Sequence, residues 1–198
     1  MEWVTRFAYL NLLWIIFSIS GLVVFGFFPS TMAMFAIMRD WLTGKTDTPI
    51  FESFWNHFKS GFMKANLIGV FVIAIGGFIA LDLFYIKTNT FTDITWTYIP
   101  LFAFMLLFFL LLMFLFPTVV HYDLKPLQLI KNAFLIMLIS PVHSLLILIS
   151  LTAFFFIVKA FPAIGFIFGG SFYAFITTRI CLHAFTRILH KSKEPYNK

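Results

Sequence analysis

From Phe7 to Phe28 the chain runs without a charged residue. At ~1.5 Å rise per helical residue this block reaches ~33 Å, enough for a hydrocarbon core of ~30 Å. Further apolar blocks, separated by short polar breaks, continue to Leu189. The pattern predicts an all-α fold, a polytopic membrane helix bundle forming a single domain over residues 1–198. Composition agrees: charged residues make up 11%, against roughly 25% in ordinary soluble proteins. The first block exceeds the apolar region of a signal peptide, and no small-residue cleavage site follows it, so it reads as a permanent span. One cysteine, Cys181, excludes an intrachain disulfide and a multi-cysteine metal site.

Five spans are expected, at about 7–28, 65–86, 96–120, 132–158 and 162–184. The fourth contains Pro141, which removes a backbone donor and predicts a kink. Counting six would require 127–140 to cross alone, which is too short. Whether that stretch enters the membrane or lies along its interface is open at this level. With five spans, every Lys and Arg except Arg6, Lys87 and Lys159 falls on one side. The positive-inside rule then predicts a cytoplasmic C-terminus and an external N-terminus. Trp3, Trp96 and Tyr98 fit an aromatic belt at the outer ends. The net charge of +6 is thus a topology signal, and no nucleic-acid partner is expected.

The segment 29–64 is the most informative part outside the spans. Pro29 is expected to end the first helix and Met32–Leu42 to form a short second one. Thr48-Pro49 reads as an N-cap followed by proline at the first helical position. Over 49–64, Ile50, Phe51, Phe54, Trp55, Phe58 and Phe62 share one side of a helical wheel, with Glu52, Asn56, His57 and Lys59 opposite. This is the pattern of an amphipathic helix in the cytoplasmic interface. Two roles need the same pattern: an elbow that orients the second span, or a face through which Glu52, Asn56, His57 and Lys59 dock a partner.

Polar residues inside spans are functional candidates because burying them is costly. Asp82 and His143 form the candidate intramembrane polar site, each with a structural alternative as an anchor or local hydrogen-bond partner. Arg179, His183 and Arg187 recur on one face of the last helix, extended by His190 and Lys191. Snorkelling explains the row, and contact with an anionic lipid or phosphate is its functional reading. Gly165 and Gly169 form a GxxxG pair that permits close helix approach, within the chain or in a homo-oligomer. No catalytic, cofactor-binding or metal-ligating residues are assigned. Walker, HExxH and GxSxG motifs are absent, as is the Gly-containing EAA-type loop of sugar-importer permeases.

Three groups of residues carry a family resemblance. They are Asn11-Leu12-Leu13-Trp14 with Phe28-Pro29-Ser30-Thr31-Met32-Ala33, Arg39 and Thr43-Gly44; Phe54-Trp55-Asn56-His57-Phe58-Lys59 with Phe62-Met63-Lys64-Ala65; and Phe116-Pro117 with Leu127–Ala133. The chain resembles the YesL-like family of bacterial membrane proteins. The resemblance implies a bacterial plasma-membrane protein of undefined molecular activity, of a kind often encoded beside carbohydrate uptake systems. The leading expectation is therefore a non-enzymatic accessory of carbohydrate uptake or its regulation. Its partners would be the lipid bilayer and a carbohydrate ABC transporter or other membrane protein, with no cofactor. The alternative is a small transporter or channel using Asp82 and His143.

Overall fold

The computed structural model describes residues 2–88 and 95–193, with side chains of the second stretch described over 98–188. The described residues form seven helices: α1 (Glu2–Ser20), α2 (Val24–Leu42), α3 (Ile50–Thr88), α4 (Thr95–His121), α5 (Pro126–Ile139), α6 (Pro141–Ala160) and α7 (Pro162–Lys193). Five of them, α1, α3, α4, α6 and α7, contain stretches long and apolar enough to cross a bilayer. The all-α membrane bundle expected from the apolar blocks is what the chain builds.

The block 7–28 is nevertheless not one span. α1 stops at Ser20 and the chain reverses through Gly21–Val23, with φ of 55° at Leu22 and 62° at Val23. Two glycines make the reversal tight. A Cβ on Gly21 would sit 2.4 Å from the Gly26 Cα, and one on Gly26 would sit 2.6 Å from the Phe17 carbonyl oxygen. α2 then runs back along α1. The Trp3 and Trp41 rings meet at 5.8 Å, and Trp14 Nε1 donates to Thr31 Oγ1 at 3.0 Å. Pro29, expected to end a helix, lies in the second turn of α2, early enough to forfeit little of its ladder.

α2 is the inner helix of the bundle, packed against α1, α3, α4 and α7. Leu10, Leu13, Met34, Phe35, Met38 and Phe54 form one buried cluster around it. A second cluster joins Phe114, Leu115, Leu129, Ala133, Ile147 and Phe185 from α4 to α7. In this packing Ser30 and Thr31 of α2 are buried and Arg39 and Asp40 partly so.

The expected interfacial helix and second span are one continuous helix, α3, of 39 residues, ~58 Å long at helical rise. The fourth span, by contrast, is divided. Pro141 disfavours the α conformation at the residue before it, and Ser140 adopts φ −119°, ψ 57° between α5 and α6. α5 starts just after α4 ends, and His143 near the start of α6 faces His183 of α7. Two residues on, Phe185 packs against His121 at the end of α4, ring centres 4.7 Å apart. The chain thus returns to the level at which α4 ended, so α5 does not cross the bundle.

The reversal at Gly21–Val23 also brings α2 back to the level of the N-terminus. Arg6 Nη1 donates to the Thr46 carbonyl at 3.0 Å, so the start of α1 lies beside the 43–49 loop. The five-span reading had put Arg6 and Trp3 across the membrane from that loop. Trp96, His190 and Lys191 lie outside the described side chains.

Candidate functional site

Charged side chains converge where the end of α2, the first turns of α3 and the end of α4 meet. Arg39 Nη2 donates to Asp40 Oδ1 at 2.9 Å, and its Nη1 donates to the Val120 carbonyl at the end of α4. The other Asp40 oxygen faces His57 Nε2 of α3 at 3.2 Å. Lys64 approaches Asp123 at 3.5 Å. Arg39, His57, Lys64 and Asp123 line an open cavity of about 250 Å³ with Ser60, His121 and Tyr122, and Asp40 stands behind it. Burial pushes the Tyr122 phenol above its ordinary pKa, so it stands as a protonated donor at neutral pH. The ion pairs are partly solvated, and such pairs contribute only ~0.2–1 kcal/mol each. Their effect is geometric: Arg39 and Asp40 fix three helix ends in one arrangement, and the cavity offers both charge signs to a polar ligand.

This clamp settles which way the start of α3 faces. Phe54 is fully buried. Phe17 sits among Phe51, Phe54, Trp55 and Phe58, with ring centres 5.1 to 6.3 Å away. Phe51, Trp55 and Phe62 remain exposed on the flank. Of the candidate docking residues, Glu52, Asn56 and Lys59 are exposed, whereas His57 turns inward to Asp40. The exposed face is therefore narrower than the wheel indicated, and it is carried on a helix held from behind.

Asp82 and His143 are not brought together. Asp82 is exposed and lines a cavity with Tyr85, Ile86, Pro100, Leu101 and Phe104. His143 is 5% exposed, and its Nε2 lies 3.2 Å from His183 Nδ1. It lines a different cavity, of about 240 Å³, with Ile139–Val142, Arg187 and Ile188. Two residues read separately in the sequence, one as an intramembrane site and one in a lipid-facing row, thus belong to one cluster. Arg179 is exposed on α7 and does not line that cavity. Among the described residues, no group of three His, Cys, Asp or Glu side chains is placed to hold a metal.

The glycine pair divides as well. A Cβ on Gly165 would meet Val158 of α6 at 2.5 Å, whereas Gly169 faces open space. The close approach falls at Gly170, whose added Cβ would lie 2.9 Å from Asn11 Oδ1. Asn11, 2% exposed, stitches α1 into α7. Its Nδ2 donates to the Phe166 carbonyl at 2.8 Å, and its Oδ1 accepts from Gly170 N–H at 3.0 Å and Ser171 N–H at 3.3 Å. In the sequence Arg39 was legible as a topology charge and a letter of the family pattern, and Asn11 as another such letter, whereas Asp40 carried no signal of its own.

Residues 7–83, from within α1 to within α3, match the family model described as a protein of unknown function, DUF624. Three Bacillus subtilis (strain 168) proteins align over nearly the whole chain. Uncharacterized protein YteU is 34% identical, covering 100% of this chain and 88% of its own length. Uncharacterized protein YesL is 32% identical over 92% of this chain and 86% of its own length. Uncharacterized protein YesV is 32% identical over 94% and 89%. No solved structure matches.

Proposed function

The chain belongs to the YesL-like DUF624 family, and on that premise we propose that it is a non-enzymatic plasma-membrane accessory of carbohydrate uptake or its regulation. In this reading it docks a partner, such as a carbohydrate ABC transporter, through Glu52, Asn56 and Lys59. The supporting observation is that these exposed residues ride on a helix clamped from behind by Phe54 and the Asp40–His57 contact. The same helix continues unbroken as a span. A partner seated there pushes on a rigid element, not on a floating elbow, and its engagement is transmitted to the bundle. The carbohydrate connection rests on the family resemblance. The transporter alternative has no comparable support, because Asp82 and His143 line separate cavities.

Orientation belongs to the same proposal. With Arg6 beside the 43–49 loop, Lys87 and Lys159 are the only Lys or Arg residues left on the opposite side. The positive-inside rule then favours both chain ends in the cytoplasm, where the α3 face meets a cytoplasmic or membrane-embedded partner.

The test exchanges Glu52, Asn56 and Lys59 together to Ser. Membrane levels of the protein should stay unchanged, since all three side chains are exposed. Sugar uptake, compared between cells with and without the gene, should fall to the level of the deletion. A photo-crosslinker at position 56 should capture a transport component in the wild type. Full uptake in the triple variant with no crosslinked species would reduce α3 to a structural elbow.

A further inference from the structure

From α5 through α7, residues 126–193, the sequence contains Lys131, Lys159, Arg179, Arg187, Lys191 and Lys193 but no Asp or Glu. The ion pairs of the described residues all use Asp40 or Asp123, on α2 and after α4. Arg187 is therefore without a protein carboxylate among the described residues. It shares a cavity with His143, the buried imidazole whose Nε2 touches His183. The cavity opens at the Ser140 break, where α6 begins with Pro141 and has no side-chain cap. Backbone N–H groups in the first turn of a helix lack intrahelical acceptors, so those of Val142 and His143 add to the donors around the cavity. Guanidinium, imidazole and free amide donors in one place, with no acidic partner, form a receptor for an oxyanion.

We propose that the cavity between Ser140–His143 of α6 and Arg187 of α7 binds a phosphate group. Arg187 supplies the charge and His143, held by His183, a directed donor. The inference is independent of the docking role of α3. A phosphodiester headgroup of an anionic lipid and a free phosphate offer the same oxygens, and the level of the site sets no choice between them. His143 lies at the level of the α4 end, where the loop to α5 begins, so both sources reach it. Arg179 takes no part, being outside the cavity.

The full-length protein in a neutral detergent is titrated separately with short-chain phosphatidylglycerol, short-chain phosphatidylcholine and inorganic phosphate. Thermal unfolding is followed by tryptophan fluorescence, because a ligand that binds the folded form raises the midpoint with concentration. Phosphatidylglycerol should raise it and phosphatidylcholine should not. An equal rise with inorganic phosphate assigns the site to the free anion, and none assigns it to the lipid headgroup. Arg187→Gln and His143→Gln should each weaken the apparent affinity about tenfold, the loss expected for one charge-assisted hydrogen bond. Arg179→Gln should leave it unchanged. His183→Gln, at an exposed position, serves as the second probe where a cavity variant does not fold, and it should weaken binding too. The proposal is overturned by no rise with either anion, by an equal rise with phosphatidylcholine, or by undiminished affinity in the folded variants.

Discussion

A single buried amide joins the first helix of this protein to its last. Asn11 stands between the Phe166 carbonyl and the Gly170 N–H, the pair that an undisturbed α-helix would bond to each other. Its Nδ2 donates to the one and its Oδ1 accepts from the other, so the contact ties α1 to α7 with a hydrogen bond of each polarity. Asn11→Ala should remove the contacts that tie α1 to α7 and cost about 1 kcal/mol, the net value of a typical hydrogen bond. Asn11→Asp should cost more. A carboxylate cannot donate, so it would turn an oxygen toward the Phe166 carbonyl and bury a charge. Thermal unfolding in detergent, followed by tryptophan fluorescence, should rank wild type above Ala and Ala above Asp. Asn11 was visible in the sequence only as part of an Asn-Leu-Leu-Trp string, because its partners lie 155 and 159 residues away. His143 carries the same lesson. Its position after Pro141 was readable, but its partner His183 belongs to another helix and no local pattern connects them.

Among the elements, the amphipathic start of α3 was the most legible, and its energetics divide along its length. The wheel grouped six apolar residues, yet burial separates them: Phe54 is 0% exposed and Phe51 is 52% exposed. Phe54→Ala should destabilise by about 3 kcal/mol or more, since it empties a packed aromatic site. Phe51→Ala should cost under ~1 kcal/mol, since about half of the side chain is already exposed and its aromatic contact with Phe17 is at 6.3 Å. Equal losses at the two positions would mean that the whole aromatic face is packed. Amphipathicity reveals which side is apolar but not how much of it protein covers. α2 shows the converse. Its Pro29, Ser30, Thr31, Arg39 and Asp40 made it look like a loop with a short helix, because hydropathy measures suitability for lipid. A helix enclosed by other helices needs little of that. Pro141, in contrast, marked its own boundary, since proline's restriction of the preceding residue acts locally.

For the whole molecule, the apolar blocks announced a helical membrane bundle correctly, while one hidden reversal changed how the chain threads through it. Gly21–Val23 carries no charge and no proline, so Phe7–Phe28 looked like a single crossing. The positive φ at Leu22 and Val23 and the fit of Gly21 against Gly26 show that the backbone turns there. α1 and α2 then form an antiparallel pair, and the start of α1 returns to the 43–49 loop that the five-span reading placed across the membrane from it. Under the orientation proposed above, Arg6 beside Thr46 is no longer one of the three exceptions to the positive-inside pattern. Cysteines at Glu2, Thr88 and Ser192 separate the two arrangements in the Cys181→Ala background. A membrane-impermeant maleimide applied to intact cells should label position 88 only, with positions 2 and 192 reacting after the membrane is opened. Labelling at position 2 from outside would restore a single crossing over Phe7–Phe28 and would require the start of α1 to leave the 43–49 loop. Because Glu2, Thr88 and Ser192 all lie at or next to helix ends, the substitutions should leave the bundle intact and report sidedness alone.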